Sequence, residues 1–172
     1  MKKIILTMLL LAPLSAFAQK FAHFDMSEIM PNMAEYQTAS TELQTLGNQY
    51  QEELDRLQKE YQSKTEEYQK LAEDNSTAQA ILQSKLADIQ KMEQSIQDFY
   101  QASQQDMQKQ QSDKMDAIQA KIAAAVNKIA EAGGYVYVMD LSSCAPGSPV
   151  TYVNSSLSTD ITSQLKAALG IQ

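Results

Sequence analysis

From residue 43 to residue 129, apolar side chains recur at helical spacing with polar residues filling the intervals. In the first half Leu43, Leu46, Tyr50, Leu54, Leu57, Tyr61, Tyr68 and Leu71 are separated by 3, 4, 4, 3, 4, 7 and 3 positions, a heptad seam from Leu54 onward. The two steps of four at Leu46, Tyr50 and Leu54 form a stutter, where supercoiling relaxes. The second half has its own seam: Leu82, Leu86, Ile89, Ile96, Tyr100, Met107, Met115, Ile118, Ile122, Val126 and Ile129. Gly and Pro are absent from Asn48 through Ala132, an 85-residue run rich in Gln, Glu, Lys, Leu and Ala, all good helix formers.

Between the halves, Glu73-Asp74-Asn75-Ser76-Thr77 offers a turn. Asn75 can adopt the left-handed conformation that ends a helix, and Ser76 or Thr77 can cap the next. Folding back there places position i opposite roughly 149 − i, so that Tyr68 meets Ile81 or Leu82, Tyr61 meets Ile89, Leu54 meets Ile96, Tyr50 meets Tyr100 and Leu43 meets Met107. Apolar meets apolar along the whole length, which favours an antiparallel helical hairpin over one continuous rod. Arms of roughly 35 to 45 residues reach about 50 to 65 Å. Two helices alone bury little, and the glutamine-rich stretch from Gln101 to Asp113 interrupts the seam, so the arm is expected to be only marginally rigid.

Both ends of the chain change period. Lys20 to Asp25 reads as a short strand, followed by a turn at Ser27–Met30 and by Pro31. Gly133-Gly134 stops the returning helix, and Tyr135 to Met139 is the strongest strand pattern present. Leu141 to Pro149 reads as a loop, Val150 to Val153 as a third strand, and Asp160-Ile161 to Leu169 as a closing helix with Ile161, Leu165 and Leu169 on one face. The fold class is α+β, mostly α: a small β body over 19–38 and 130–172, and an antiparallel coiled-coil arm over 39–129 with its tip near 73–77. Three short strands make a poor independent core. The body is therefore expected to associate with further copies through Phe21, Phe24, Tyr135, Val136, Tyr137, Val138, Tyr152 and Val153.

Residues 1–18 read as an address. Lys2 and Lys3 precede the apolar stretch Ile4 to Leu14, and Ala16-Phe17-Ala18 gives a small-x-small pattern. These are the parts of a secretory signal peptide cleaved after Ala18, and a mostly apolar stretch of 11 residues is too short to span a membrane. The short, two-lysine signal looks bacterial, and the destination is the periplasm or beyond, without stable membrane insertion. Losing Lys2 and Lys3 from 14 basic residues leaves 12 against 21 acidic ones, a net charge of −9.

That balance excludes a nucleic-acid partner, since phosphate neutralisation needs clustered Lys and Arg. One His and one Cys exclude a histidine-rich zinc site and an intrachain disulfide. Cys144 lies in a turn with no His or Lys near it in sequence, and reads as a loop thiol rather than a nucleophile. His23, within the first strand, reads as structural. Carboxylate pairs such as Glu52-Glu53 and Glu66-Glu67 sit on solvated helix faces. Nothing here points to an enzyme or to a cofactor.

The layout of signal, strand, long helical hairpin, two strands and closing helix resembles the Skp/OmpH family of periplasmic chaperones. The resemblance rests on Phe21–Asp25 with Met26, on the strand Tyr135–Asp140, and above all on Tyr152-Val153-Asn154-Ser155-Ser156 with Asp160-Ile161-Thr162. It implies a jellyfish-like homotrimer in which a β body carries three helical arms around a cavity. It also implies an ATP-independent holdase that receives unfolded outer-membrane β-barrel proteins and keeps them from aggregating; no glycine-rich phosphate loop is present. One departure stands out. The best-known members have strongly basic arms, whereas Glu42 to Asp116 here holds 15 acidic and 8 basic residues. Capture is then expected to lean on short-range apolar contact, and no lipid-binding cluster carries over.

A holdase needs apolar surface that is exposed and adaptable, which suits Met and aromatic side chains. Most lie on the seam, but Ile81, Met92 and Phe99 sit beside it, 11 and 7 positions apart on one flank. Two readings fit them: a client-binding lining of the cavity, or a widening of the core against Leu57 and Tyr50. From another class, a coiled-coil spacer or adaptor of the cell envelope also fits a hairpin, although adaptors of that kind need flanking glycine-rich domains for which this chain has no room.

Overall fold

The computed structural model describes residues 19–143 and 152–171. The signal segment over 1–18, Cys144, and Val150 and Thr151 of the expected third strand lie outside the described residues. The elements in order are β1 (Lys20–Phe24), α1 (Met26–Ile29), a 3-10 turn (Met30–Asn32), α2 (Ala34–Glu73), α3 (Gln79–Gly133), β2 (Tyr135–Asp140), a second 3-10 turn (Leu141–Ser143), β3 (Ser158–Asp160) and α4 (Thr162–Leu169). The chain is mostly helical with a small strand body, as the hydrophobic pattern requires. It divides into two compact units, one spanning Asn32–Lys121 and the other formed by the chain up to Pro31 together with Ile122–Gln172.

The unit 32–121 is an antiparallel hairpin. Its 40-residue α2 holds no fully buried residue, and burial within this unit is confined to Met33, Ile89, Ser103 and Ile118. That is the expected result for two helices without a third layer. The tip spans Asp74 to Ala78. Asp74 Oδ1 accepts from the Ser76 amide at 2.9 Å and from Ser76 Oγ at 2.7 Å, while the Thr77 amide donates to the Asp74 carbonyl at 2.9 Å. The Ser76 hydroxyl and amide bonds hold the Asp74 carboxyl below its ordinary value of 3.8. The expected roles of Asn75, Ser76 and Thr77 are not the ones observed. Among the described residues no non-glycine residue has positive φ, so Asn75 is not left-handed. Ala78, whose carbonyl accepts from the Leu82 amide, occupies the cap position of α3. Asp74 does the work instead, because its short carboxylate reaches its own backbone two residues on.

The cross-hairpin register is also shifted. Glu67 pairs with Lys85 at 2.7 Å, Tyr61 Oη donates to Glu93 at 2.7 Å, Tyr50 Oη donates to Asp106, and Glu42 and Glu35 pair with Lys114 and Lys121. Each partner lies further along α3 than 149 − i. Two causes add: the tip is longer than a two-residue turn, and side chains on both antiparallel helices lean toward their own N-termini. Tyr50 nevertheless meets the ring of Phe99, close to the expected position. Leu86 and Tyr100, expected on the seam, are 42% and 51% exposed, and Ser103 is buried between them and Ile118 in sequence.

The other unit is organised by β1. It is the central strand of a three-stranded sheet in the order β2-β1-β3, and both neighbours run parallel to it. Parallel neighbours need a long connection, and between β1 and β2 the chain runs through both long helices. Phe21 is opposite Tyr137 and Ser158, and His23 is opposite Met139 and Asp160. Ala22, Phe24, Ile29, Ile122, Ile161 and Leu165 form the core.

Local signals explain the connections. Asp25 caps α1, its Oδ1 accepting from the Ser27 amide at 2.8 Å, so the expected turn is a single helical turn. α3 ends at Gly133, followed by Gly134 at φ 65°, a conformation that favours glycine. The third strand is displaced from its expected place: Tyr152 and Val153 are unpaired in the sheet, and Ser158–Asp160 fills that edge. Asn154 explains the shift, since its side chain accepts from the Ser156 amide at 3.0 Å and its carbonyl from the Leu157 amide, turning the chain before it can extend. Asp160 then accepts from the Thr162 amide at 2.8 Å and starts α4.

Candidate functional site

Two apolar surfaces are exposed, one in each unit. On the hairpin, Ile81 is 48% exposed, while Met92 and Phe99 are half-buried. Phe99 is tied into the hairpin by an edge-to-face contact with Tyr50, ring centroids 6.0 Å apart and planes at 79°. The flank expected from sequence is thus mixed: Ile81 stands free at the surface near the tip, and Phe99 packs across to α2. The pattern missed Leu86 and Tyr100. Periodicity assigned both to the seam, and only the packing of Ile89 and Ser103 inward shows that the seam passes beside them.

The charges on the hairpin are mostly consumed locally. Arg56 pairs with Glu53 and Glu60, Lys64 with Glu60, Lys85 with Glu67, and Lys109 with Asp113. Exposed pairs of this kind contribute little stability, because solvent screens them. They matter more for what they leave behind, because acidic residues outnumber basic ones and most of the basic ones are engaged. Hydrogen bonds from Tyr50 to Asp106 and from Tyr61 to Glu93 push both phenols above their ordinary value, since losing the proton would put a second negative charge beside the carboxylate.

In the strand unit, β2 is an edge strand with Val136 exposed and Tyr137 64% exposed. The ring of Tyr137 stacks on Phe21 at 6.2 Å with planes 4° apart, and Tyr152 and Leu157 are exposed as well. Tyr135, Val138 and Val153 are half-buried, and Phe24 is buried within the unit at 6%. An open groove of about 530 Å³ on this unit is lined by Lys128, Ile129, Tyr135, Gln164 and Ala168, among others.

His23 is buried, with Nδ1 2.9 Å from Ser158 Oγ, which makes it a tie between β1 and β3. Among the described residues no three His, Cys, Asp or Glu side chains converge as metal ligands, and no helix is long and apolar enough to cross a membrane.

Comparison with known proteins fits this architecture. The family described as outer membrane protein (OmpH-like) matches residues 20–169, and the chain belongs to it. A solved structure of a proposed outer membrane chaperone (OmpH-like) from Caulobacter crescentus CB15 superposes with a TM-score of 0.70, at 16% identity, over 88% of this chain and 83% of that one. At that identity the likeness establishes the fold. A search of curated proteins finds no match.

Proposed function

We propose that this chain is an ATP-independent holdase chaperone of the periplasm that binds unfolded outer-membrane β-barrel proteins and prevents their aggregation. The observation that carries this reading is the hairpin itself: 40- and 55-residue helices with Ile81, Leu86 and Tyr100 open to solvent. A helix pair that buries so little of itself offers apolar surface to something else, and an unfolded chain is the partner that needs it. Membership of the OmpH-like family supports the same reading.

The exposed strand-unit residues Val136, Tyr137 and Tyr152 are the surface through which three copies associate, with the half-buried Phe21, Tyr135, Val138 and Val153 and the buried Phe24 supporting it. Three hairpins brought together this way enclose a cavity in which a client is held. Residues 1–18 serve as the cleaved export signal. The direct test dilutes a urea-unfolded outer-membrane barrel protein into buffer with and without mature 19–172 and follows light scattering. Suppression at near-stoichiometric trimer, with no nucleotide added, supports the proposal; scattering unchanged by the chain sinks it.

A further inference from the structure

On α3, Leu86, Glu93 and Tyr100 are spaced seven residues apart and so form one row along the hairpin. Leu86 and Tyr100 are exposed apolar side chains, and between them lies a groove of about 400 Å³ lined by Tyr61, Glu93, Ile96 and Gln97. Glu93 is the sole ionisable carboxylate of that lining, Oε1 accepts from Tyr61 Oη at 2.7 Å, and no basic side chain among the described residues pairs with it. The groove therefore combines the Ile96 side chain, the Tyr61 ring and one negative charge with no cation against it, and the exposed ring of Tyr100 lies further along the same row. Its chemical complement is a basic side chain, which a carboxylate attracts and an aromatic face accommodates.

We propose that this row binds unfolded segments carrying an arginine or lysine between two apolar residues, the basic side chain at Glu93 and the apolar ones on Leu86 and Tyr100. The inference rests on the holdase reading above and names its preferred clients. Spacing supports it. Seven helical residues rise about 10 Å, and an unfolded chain in the polyproline conformation repeats its side chains every three residues, about 9 Å. An apolar-x-x-basic-x-x-apolar segment thus matches the row in register. The field agrees in sign, since the hairpin from Glu42 to Asp116 has 15 acidic and 8 basic residues and draws cationic segments toward the site.

The test uses mature 19–172 and two labelled, unstructured peptides that repeat an apolar-x-x-charged-x-x unit with identical apolar residues, the charged residue being Arg in one and Glu in the other. Binding is read by fluorescence anisotropy at low salt. The Arg peptide is expected to bind about tenfold more tightly than the Glu peptide, with the difference shrinking as salt rises. Glu93→Gln keeps a carbonyl oxygen for the Tyr61 hydroxyl and removes only the charge. It should weaken the Arg peptide about threefold, in the range of one exposed ion pair, and leave the Glu peptide no weaker. Glu52→Gln, an exposed carboxylate on α2, should leave the Arg peptide nearly unchanged. Equal affinities for the two peptides, or equal effects of the two substitutions, overturn the inference. If the same preparation still suppresses aggregation of the barrel protein, the holdase reading survives that result; if it does not, both fall.

Discussion

Phe99 and Tyr50 meet edge-to-face across the hairpin, ring centroids 6.0 Å apart, and this contact separates two kinds of apolar residue on α3. Phe99 serves the fold, and Ile81, 48% exposed near the tip, is free to serve a partner. Phe99→Ala should lower the thermal stability of the hairpin, with a coupling to Tyr50→Leu of about 0.5 to 1.5 kcal/mol in a double-mutant cycle. Ile81→Gln should leave the helical circular-dichroism transition in place and weaken capture of the unfolded barrel protein. Loss of helix in Ile81→Gln would instead place that residue in the core.

His23 and Ser158 test the strand unit. Both are buried, and Ser158 Oγ is the partner of His23 Nδ1 at 2.9 Å. Ser158→Ala leaves the ring nitrogen without its partner and should cost about 1 to 3 kcal/mol. Adding His23→Leu to Ser158→Ala should recover part of that loss, because no polar group is then stranded. Chemical denaturation of the three variants against the parent checks the order.

Gly134 turns the chain from α3 into β2 at φ 65°. A Cβ placed there meets nothing within 4 Å, so the effect of Gly134→Ala is conformational alone, about 1 to 2 kcal/mol of destabilisation. Gly133→Ala differs in kind: its Cβ would come within 2.2 Å of the Tyr135 ring and should shift the tyrosine near-ultraviolet signal.

Acid should loosen the strand unit through Asp160. Thr162 side-chain and backbone hydrogen bonds hold its carboxyl below the ordinary 3.8. A carboxylate depressed in the folded state contributes stability that is complete above its unfolded value and is lost as pH falls through the folded one. Stability of the unit should therefore be level from neutral pH down to about pH 5 and decline below about pH 4. Asp160→Ala should be less stable at neutral pH and show a shallower acid decline. A parallel pH dependence in parent and variant would contradict the assignment.

Much of this was legible in the sequence, and the exceptions have physical causes. The long helices and their tip follow from an 85-residue stretch without Gly or Pro, and Tyr135–Asp140 from its β-branched and aromatic residues. Ser158–Asp160 was not legible as a strand, because its three polar residues owe their pairing to β1, to His23 and to the Asn154 turn that precedes them. The hairpin register slipped because Asp74 builds a longer tip than Asn75 alone would. Leu86 and Tyr100 were assigned to the seam because periodicity locates a face only to within a residue, whereas exposure depends on what α2 places opposite. The row Leu86–Glu93–Tyr100 is not legible from spacing alone, because what marks it is the Tyr61 hydroxyl bonded to Glu93 across the hairpin.

On the proposed reading, copies of this chain associate and hold one unfolded client in solution. Sedimentation velocity of mature 19–172, alone and after dilution of a urea-unfolded outer-membrane barrel protein into it, tests both parts at once. The expected result is a species near three times the monomer mass that shifts to a soluble complex with one client. A trimer that leaves the client to precipitate would contradict the holdase and favour a spacer, and a monomer would contradict the assembly as well.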